Sequence, residues 1–323
     1  MTLPSGSDAF TKQPATTLGE TPPTVLSEAP PSPSAPPPLA PATVAPSTST
    51  PPPTHLSLST TPSAPLPPIL PPATLSPSKI SSFKNCPLAF KFSYIDQLEE
   101  PPSIPAVQGT LVHRALQRLF YDLPEGERSA ESAYQYASSE LVKMTEDDED
   151  LIRLSLDDTG LQALLLKAQS LIDGYFRLED PNEIHAVGTE ISLEAEIGGT
   201  VLRGIIDRLD IDSEGNFIVT DYKTGRAPSN GYEKARFNGV NLYALLCERV
   251  LGIRPVKVQL LYLQQPCAIS AVPSDQVITS LHKNVSALWS AIAKACDRDN
   301  FLPRPSALCN WCGFKSICPA HSL

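Results

Sequence analysis

The sequence predicts an α/β fold, a mixed β-sheet flanked by helices, on three observations. Two strand-like runs, Gly204–Asp210 and Phe217–Lys223, flank the turn cluster Asp212-Ser213-Glu214-Gly215-Asn216, as in a hairpin. A further apolar strand pattern, Val256–Leu263, lies beyond a helical stretch from about Tyr232 to Leu251 that ends at Gly252. Helical stretches fill residues 130–180, with 161–178 the clearest amphipathic piece, and a short strand and a long helix at about 274–298 follow Val256–Leu263.

Composition divides the chain. Residues 1–74 are dominated by Pro, Thr, Ser and Ala, carry most of the 35 prolines, and have Phe10 as their only aromatic. Such a segment cannot bury enough apolar surface to offset its conformational entropy, and is expected to be disordered or polyproline II. Its start lacks the cationic and apolar segments of a secretory leader, and no stretch is long enough to cross a membrane. The expectation is a cytoplasmic protein with no membrane partner. Residues 75–323 suffice for one sizeable core. The net charge of −10 argues on its face against a nucleic-acid partner. The run Glu146–Asp150 supplies much of it, however, and reads as a solvated loop. Lys79, Lys84, Lys91, Arg114 and Arg118 remain candidates for local phosphate-binding patches.

Taken in order, the first helix is expected from Leu75-Ser76-Pro77-Ser78, with Ile80, Phe83, Leu88 and Phe90 as its apolar contacts and Cys86 inside it. Pro101, Pro102 and Pro105 interrupt it, and a second helix starts near Gly109-Thr110. Val112, Leu116, Leu119 and Phe120 form its apolar stripe, with His113 alongside. An isolated histidine there is ordinarily a half-buried residue satisfied by a carbonyl. It becomes a metal ligand only if the strands bring carboxylates to it. Residues 130–180 are expected to cover the core. Thr189–Ile197 alternates strictly, with three glutamates on one face; Glu194 and Glu196 are expected in solvent, and Glu190 is the one that could reach the strand carboxylates. Gly198-Gly199 turns this strand into Val201–Ile211.

The chemistry concentrates on the hairpin. Strand side chains alternate, so Asp221 and Lys223 share a face; in the preceding strand Ile205, Asp207 and Leu209 share one face and Arg208 and Asp210 the other. The hairpin can bring Asp207 and Asp221 together. Two close carboxylates repel unless a cation lies between them, and a hard divalent metal is the usual one. Lys223 could then hold or deprotonate a water at that metal, which is the arrangement for hydrolysing a phosphodiester. A lone D-x-K is ordinarily a pair of solvated charges. Here the apolar run Phe217-Ile218-Val219 marks a strand buried on both faces, and charges at the end of a buried strand require partners.

Of seven cysteines, Cys247, Cys267 and Cys296 are isolated in apolar segments and read as core residues. Cys309, Cys312 and Cys318 give C-x2-C-x5-C, and Cys86 sits far upstream. Clustered thiols in a cytosolic protein favour a metal over disulfides. Zinc would need Cys86 or His321 as its fourth ligand, whereas an iron–sulfur cluster accepts irregular spacing with one remote ligand. Spacing leaves both open. Either would tie the first helix to the last residues of the chain.

These pieces resemble the RecB-type nucleases of the PD-(D/E)XK superfamily, in the branch with an iron–sulfur staple. The likeness covers roughly residues 75–320. It rests on five pieces in order: Cys86, GTLVH ending at His113, GIIDRLD with Asp207, DYKTG with Asp221 and Lys223, and C-x2-C-x5-C. The resemblance implies a restriction-endonuclease-like fold with the C-terminal cysteines stapled to the first helix. It implies that His113, Asp207, Asp221 and the Tyr222 carbonyl bind one or two Mg²⁺ or Mn²⁺ ions, with Lys223 positioning the attacking water. It also implies a structural 4Fe–4S cluster on Cys86, Cys309, Cys312 and Cys318. One departure stands out: the family's Q-x3-Y helix motif has Tyr243 here but Gly239 at the glutamine position, where Asn238 or Asn241 could supply the amide.

The expected function is a metal-dependent DNA exonuclease of recombination or repair, acting on DNA that is single-stranded or has a free end. No G-x4-G-K-[ST] occurs, so any unwinding needs a separate helicase. The alternatives are a non-catalytic DNA-binding scaffold on the same fold, and a zinc-stapled interaction module with a proline-rich docking tail. The second leaves His113, the two aspartates and Lys223 without a purpose.

Overall fold

The structure is a computed structural model that describes residues 68–228 and 233–321, with backbone alone for 233–238. The proline-rich tail as far as residue 67, residues 229–232 and the Asn238 side chain lie outside that description. All described residues fall in one compact unit, 64–323.

One long strand organises the six-stranded sheet. This strand, β3 (Thr200–Ile211), pairs antiparallel along its length with β2 (His185–Ile197). Their connection is Gly198-Gly199, whose φ angles of +66° and +81° are the left-handed values a two-residue hairpin turn needs. The other edge of β3 is shared. Its start pairs in parallel with the short β1 (Thr74–Leu75), and its end, Arg208–Ile211, pairs antiparallel with β4 (Phe217–Lys223). Between those partners, residues 203–207 have no ladder on that edge. The sheet continues from β4 to the parallel β5 (Lys257–Tyr262) and the antiparallel β6 (Cys267–Ala271). The β3–β4 turn forms as expected: the Asp212 carboxylate accepts the Glu214 and Asn216 N–H groups at 2.9 and 2.8 Å.

Helices cover both faces. On one lie α3 (Ile104–Asp122), α4 (Ala130–Asp147), α5 (Glu149–Leu154) and α6 (Asp158–Phe176), whose core of Leu116, Leu119, Leu171 and Tyr175 packs on Tyr222 and Leu261. On the other, α7 (Glu233–Leu251) and α8 (Asp275–Asp297) pack Leu245, Leu246, Leu281 and Val285 against Leu202, Ile206, Leu209 and Val219. Ile80 of α1 (Pro77–Asn85) and Phe90 of α2 (Pro87–Tyr94) join this second core. The result is the helix-flanked mixed sheet that the sequence predicts.

Several local expectations need correction. The first helix is two helices, broken at Cys86, whose extended backbone ends α1 and starts α2 at Pro87. Pro105 does not interrupt a helix; it lies in the first turn of α3, where its missing N–H costs nothing, behind the Ser103 cap. The run Glu146–Asp150 is not a loop. It ends α4 and opens α5, with Asp148 capping the Leu151 N–H at 3.0 Å and Glu149 and Asp150 in the favoured first turn. Cys247 and Cys296 are buried as expected, but Cys267 opens the edge strand β6 and is exposed.

Strict alternation also fails along β3. Leu202 and Ile206 belong to the α7 side, and a side chain at Gly204 would strike Tyr243 and Leu246 there. Leu209, of the opposite parity, lies in the same core, while Arg208 donates to Tyr175 and Tyr222 on the α6 side. The strand changes phase at Asp207. Across from it Glu190 adopts φ +50°, a left-handed backbone rare for a glutamate in a strand.

Candidate active site

The carboxylates gather where the sheet forks. The β3–β4 ladder stops at the Arg208/Thr220 pair. Beyond it the Asp207 carboxylate, instead of a backbone carbonyl, accepts the Tyr222 N–H at 2.7 Å. This bond holds Asp207 beside Asp221 and Lys223, which form an ion pair.

From above, α3 delivers His113. Its Nδ1 lies 3.5 Å from Asp207 Oδ2 and 4.0 Å from Glu190 Oε1, and the ring meets Tyr222 edge-on at 5.8 Å. Ligand atoms of His113, Glu190 and Asp207 all lie within 4.8 Å of one another. The local sequence explains the approach: a side chain at Gly109 would press on Thr224 Oγ1 at 3.3 Å, so this glycine lets α3 settle against the end of β4.

The electrostatics are those of crowded, partly buried acids. Burial first, and the Asp221 charge second, raise the Asp207 carboxyl well above the ordinary range. Glu190 is raised by burial and by Asp207 and Asp221. His113 is lowered by burial, which outweighs the neighbouring carboxylates. A neutral imidazole among crowded carboxylates is a donor set that suits a divalent ion. Burial pulls Lys223 down, but Asp221 and Asp207 outweigh it, so its ammonium is held charged. Tyr243 of α7 is pushed up by burial and then by Asp221, Asp207 and Glu190, which keeps its hydroxyl protonated beside the site.

Behind the site, on the α6 side, Arg208 is fully buried. It pairs with Asp210 at 2.7 Å and Glu179 at 2.8 Å, and donates to the Tyr222 hydroxyl at 2.8 Å. Gln259 donates to Glu179 at 2.8 Å and to Thr220 at 2.9 Å.

His113, Asp207 and Glu190 thus form one close trio, Tyr222 is tied to it through its N–H on Asp207, and Asp221 pairs with Lys223 outside the trio. Asn241 is buried on α7 with its amide oxygen unpartnered, while the position of Gly239 opens onto free space. Far along the chain, Cys86, Cys309, Cys312 and Cys318 line one cavity of about 330 Å³, together with His321. All four thiols are free. The Arg304 N–H points at Cys86 Sγ (3.5 Å) and the Ser306 N–H at Cys309 Sγ (3.4 Å). The four thiols and His321 share this cavity, but no three of them bring ligand atoms within 4.8 Å of one another as His113, Glu190 and Asp207 do, so the cavity by itself selects neither zinc nor an iron–sulfur cluster.

Fold and acidic centre together define the class, a nuclease. The chain belongs to the PD-(D/E)XK nuclease superfamily, whose family description matches residues 74–319, about three quarters of its length. Crystal structures similar to it include SSO0001, at 16% identity over 78% of this chain and 89% of that chain with a TM-score of 0.36. Another is a candidate exonuclease from Eubacterium rectale, at 13% identity over 74% of this chain and 87% of that one, TM-score 0.49. No curated protein matches the chain significantly.

Proposed function

We propose that this chain is a Mg²⁺- or Mn²⁺-dependent deoxyribonuclease, an exonuclease of the RecB type serving DNA recombination or repair in the cytoplasm. The supporting observation is the trio of His113, Glu190 and Asp207 at the fork between β3 and β4, with the Asp221–Lys223 ion pair next along β4. His113, Glu190, Asp207 and Asp221 would hold one or two ions, with the Tyr222 carbonyl as a further ligand. When bound, the metal supplies Lewis-acid polarisation of the scissile phosphate and a water of lowered pKa. Lys223 orients the attacking water with its ammonium and neutralises charge developing on the phosphate. Asp207, held by the Tyr222 N–H, and Asp221, held by Lys223, keep the ligand geometry.

Cys86, Cys309, Cys312 and Cys318 would carry a 4Fe–4S cluster with a structural role, zinc being the alternative. Among the described residues no helix is long and apolar enough to cross a membrane, and unwinding of duplex DNA falls to a separate helicase.

The test is cleavage of single-stranded DNA with Mg²⁺ or Mn²⁺. Wild type should degrade it, and Asp221→Ala and Lys223→Ala should abolish degradation while circular dichroism shows the fold intact. A wild type inert with both metals would instead favour a DNA-binding scaffold.

A further inference from the structure

We propose that the face of α3 beside the acidic centre is the track for a single nucleic-acid strand, with Arg114 and Gln117 receiving the phosphate next to the one cleaved. The inference rests on the nuclease reading and specifies how that site takes its substrate. A cavity of about 450 Å³ is lined by Gly109, Thr110, His113, Arg114, Gln117 and Glu190. His113 and Glu190 belong to the acidic centre, so the cavity opens directly onto it.

Positions 110, 113, 114 and 117 form one stripe along the helix. Gln117 lies about 6 Å further along the axis than His113, a step comparable with the spacing of neighbouring phosphates on a strand. Thr110 has its hydroxyl turned to the Ala106 carbonyl at 3.3 Å. Gln117 makes no side-chain hydrogen bond among the described residues, so its amide N–H groups are open to a ligand. The Arg114 guanidinium provides the charge. One cation and one amide suit a single backbone, whereas a duplex presents two.

Arg114 has two competitors. Its guanidinium lies 3.3 Å from Asp147 and 3.5 Å from Asp148. The Asp147 side chain is 62% exposed, so that pair is screened and a phosphate can displace it, while Asp148, 14% exposed, stays as the firmer anchor. The acidic run at the α4–α5 junction therefore weakens strand binding, and its removal should strengthen it.

Binding of a fluorescein-labelled oligothymidine, followed by anisotropy in Ca²⁺ with salt titration, tests this. Wild type should bind. Arg114→Ala should weaken binding about tenfold and make the slope of log K against log salt shallower by about one unit. Gln117→Ala should weaken binding severalfold with the slope unchanged, and Gln117→Glu more so. Asp147→Asn should tighten binding. Lys283→Ala, an exposed cation on α8, should match wild type. Melting curves establish that each variant is folded. If wild type binds and cleaves while the Arg114 and Gln117 variants bind equally well, the track is elsewhere and the nuclease reading stands. A wild type that neither binds nor cleaves the strand overturns both.

Discussion

The Asp207 carboxylate takes the Tyr222 backbone N–H at 2.7 Å, a place in the sheet where a strand carbonyl would ordinarily sit. A side chain thereby replaces the ladder at the point where β3 and β4 separate, and the gap it opens is where the acids meet. Stability and chemistry are opposed here, because the buried charges that suit a metal repel one another in its absence.

That opposition predicts the behaviour of Asp207→Asn. The amide keeps an oxygen for the Tyr222 N–H and removes a charge that burial and Asp221 disfavour. Metal-free protein should gain about 1–2 kcal/mol near pH 8. Metal-dependent cleavage should be lost. Urea unfolding in a chelator, with parallel nuclease assays, checks both.

The pH dependence follows from the direction of the shifts. Asp207 and Glu190 are raised in the fold, so the folded state binds their protons more tightly than the unfolded chain. Their contribution is fully present below the unfolded carboxylate range, about pH 4, and is lost as pH rises through the folded values. The stability advantage of Asp207→Asn over wild type, both metal-free, should therefore grow from about pH 5 to pH 8. A constant difference would contradict the assignment.

Much of this was legible in the sequence. The turn at Asp212–Asn216 and the spacing of Asp207, Asp221 and Lys223 announce the hairpin that β3 and β4 form and put these side chains near its open end. Other features depend on contacts that spacing cannot carry. The alternation of Thr189–Ile197 gives no sign that Glu190 has a left-handed backbone. The Arg208 network draws on Tyr175 and Glu179, at and just past the end of α6, and on Gln259 of β5. Two-residue β1 is too short for any periodicity, and Cys267 is exposed because its strand is the sheet edge.

Arg208 should matter more to stability than any residue in the site itself. Arg208→Ala leaves Asp210 and Glu179 facing each other without their cation and should cost about 3–5 kcal/mol. Tyr222→Phe removes one hydrogen bond to that guanidinium and should cost about 1 kcal/mol. Chemical denaturation measures the pair.

Gly204 lets α7 approach β3. Its substitution by alanine would put Cβ 2.8 Å from the Tyr243 ring and 2.9 Å from Leu246. Gly204→Ala should lower stability by about 1–3 kcal/mol and displace Tyr243 from the acids. Thermal melting and the fluorescence of the tyrosines report the two effects.

The cysteine cavity makes a compositional prediction. Protein purified without oxygen should carry about four irons per chain and be brown, and Cys86→Ser should lose the iron and melt earlier. A colourless protein with one zinc per chain, prepared under iron-replete conditions, would select the alternative metal.

Diffraction from Mn²⁺-soaked crystals, read at the manganese absorption edge, addresses the central claim most directly. An anomalous peak is expected within bonding distance of the His113 imidazole and the Asp207 carboxylate, with Asp221 or Glu190 completing the shell. Well-ordered density for those side chains with no peak among them, at saturating Mn²⁺, would contradict it.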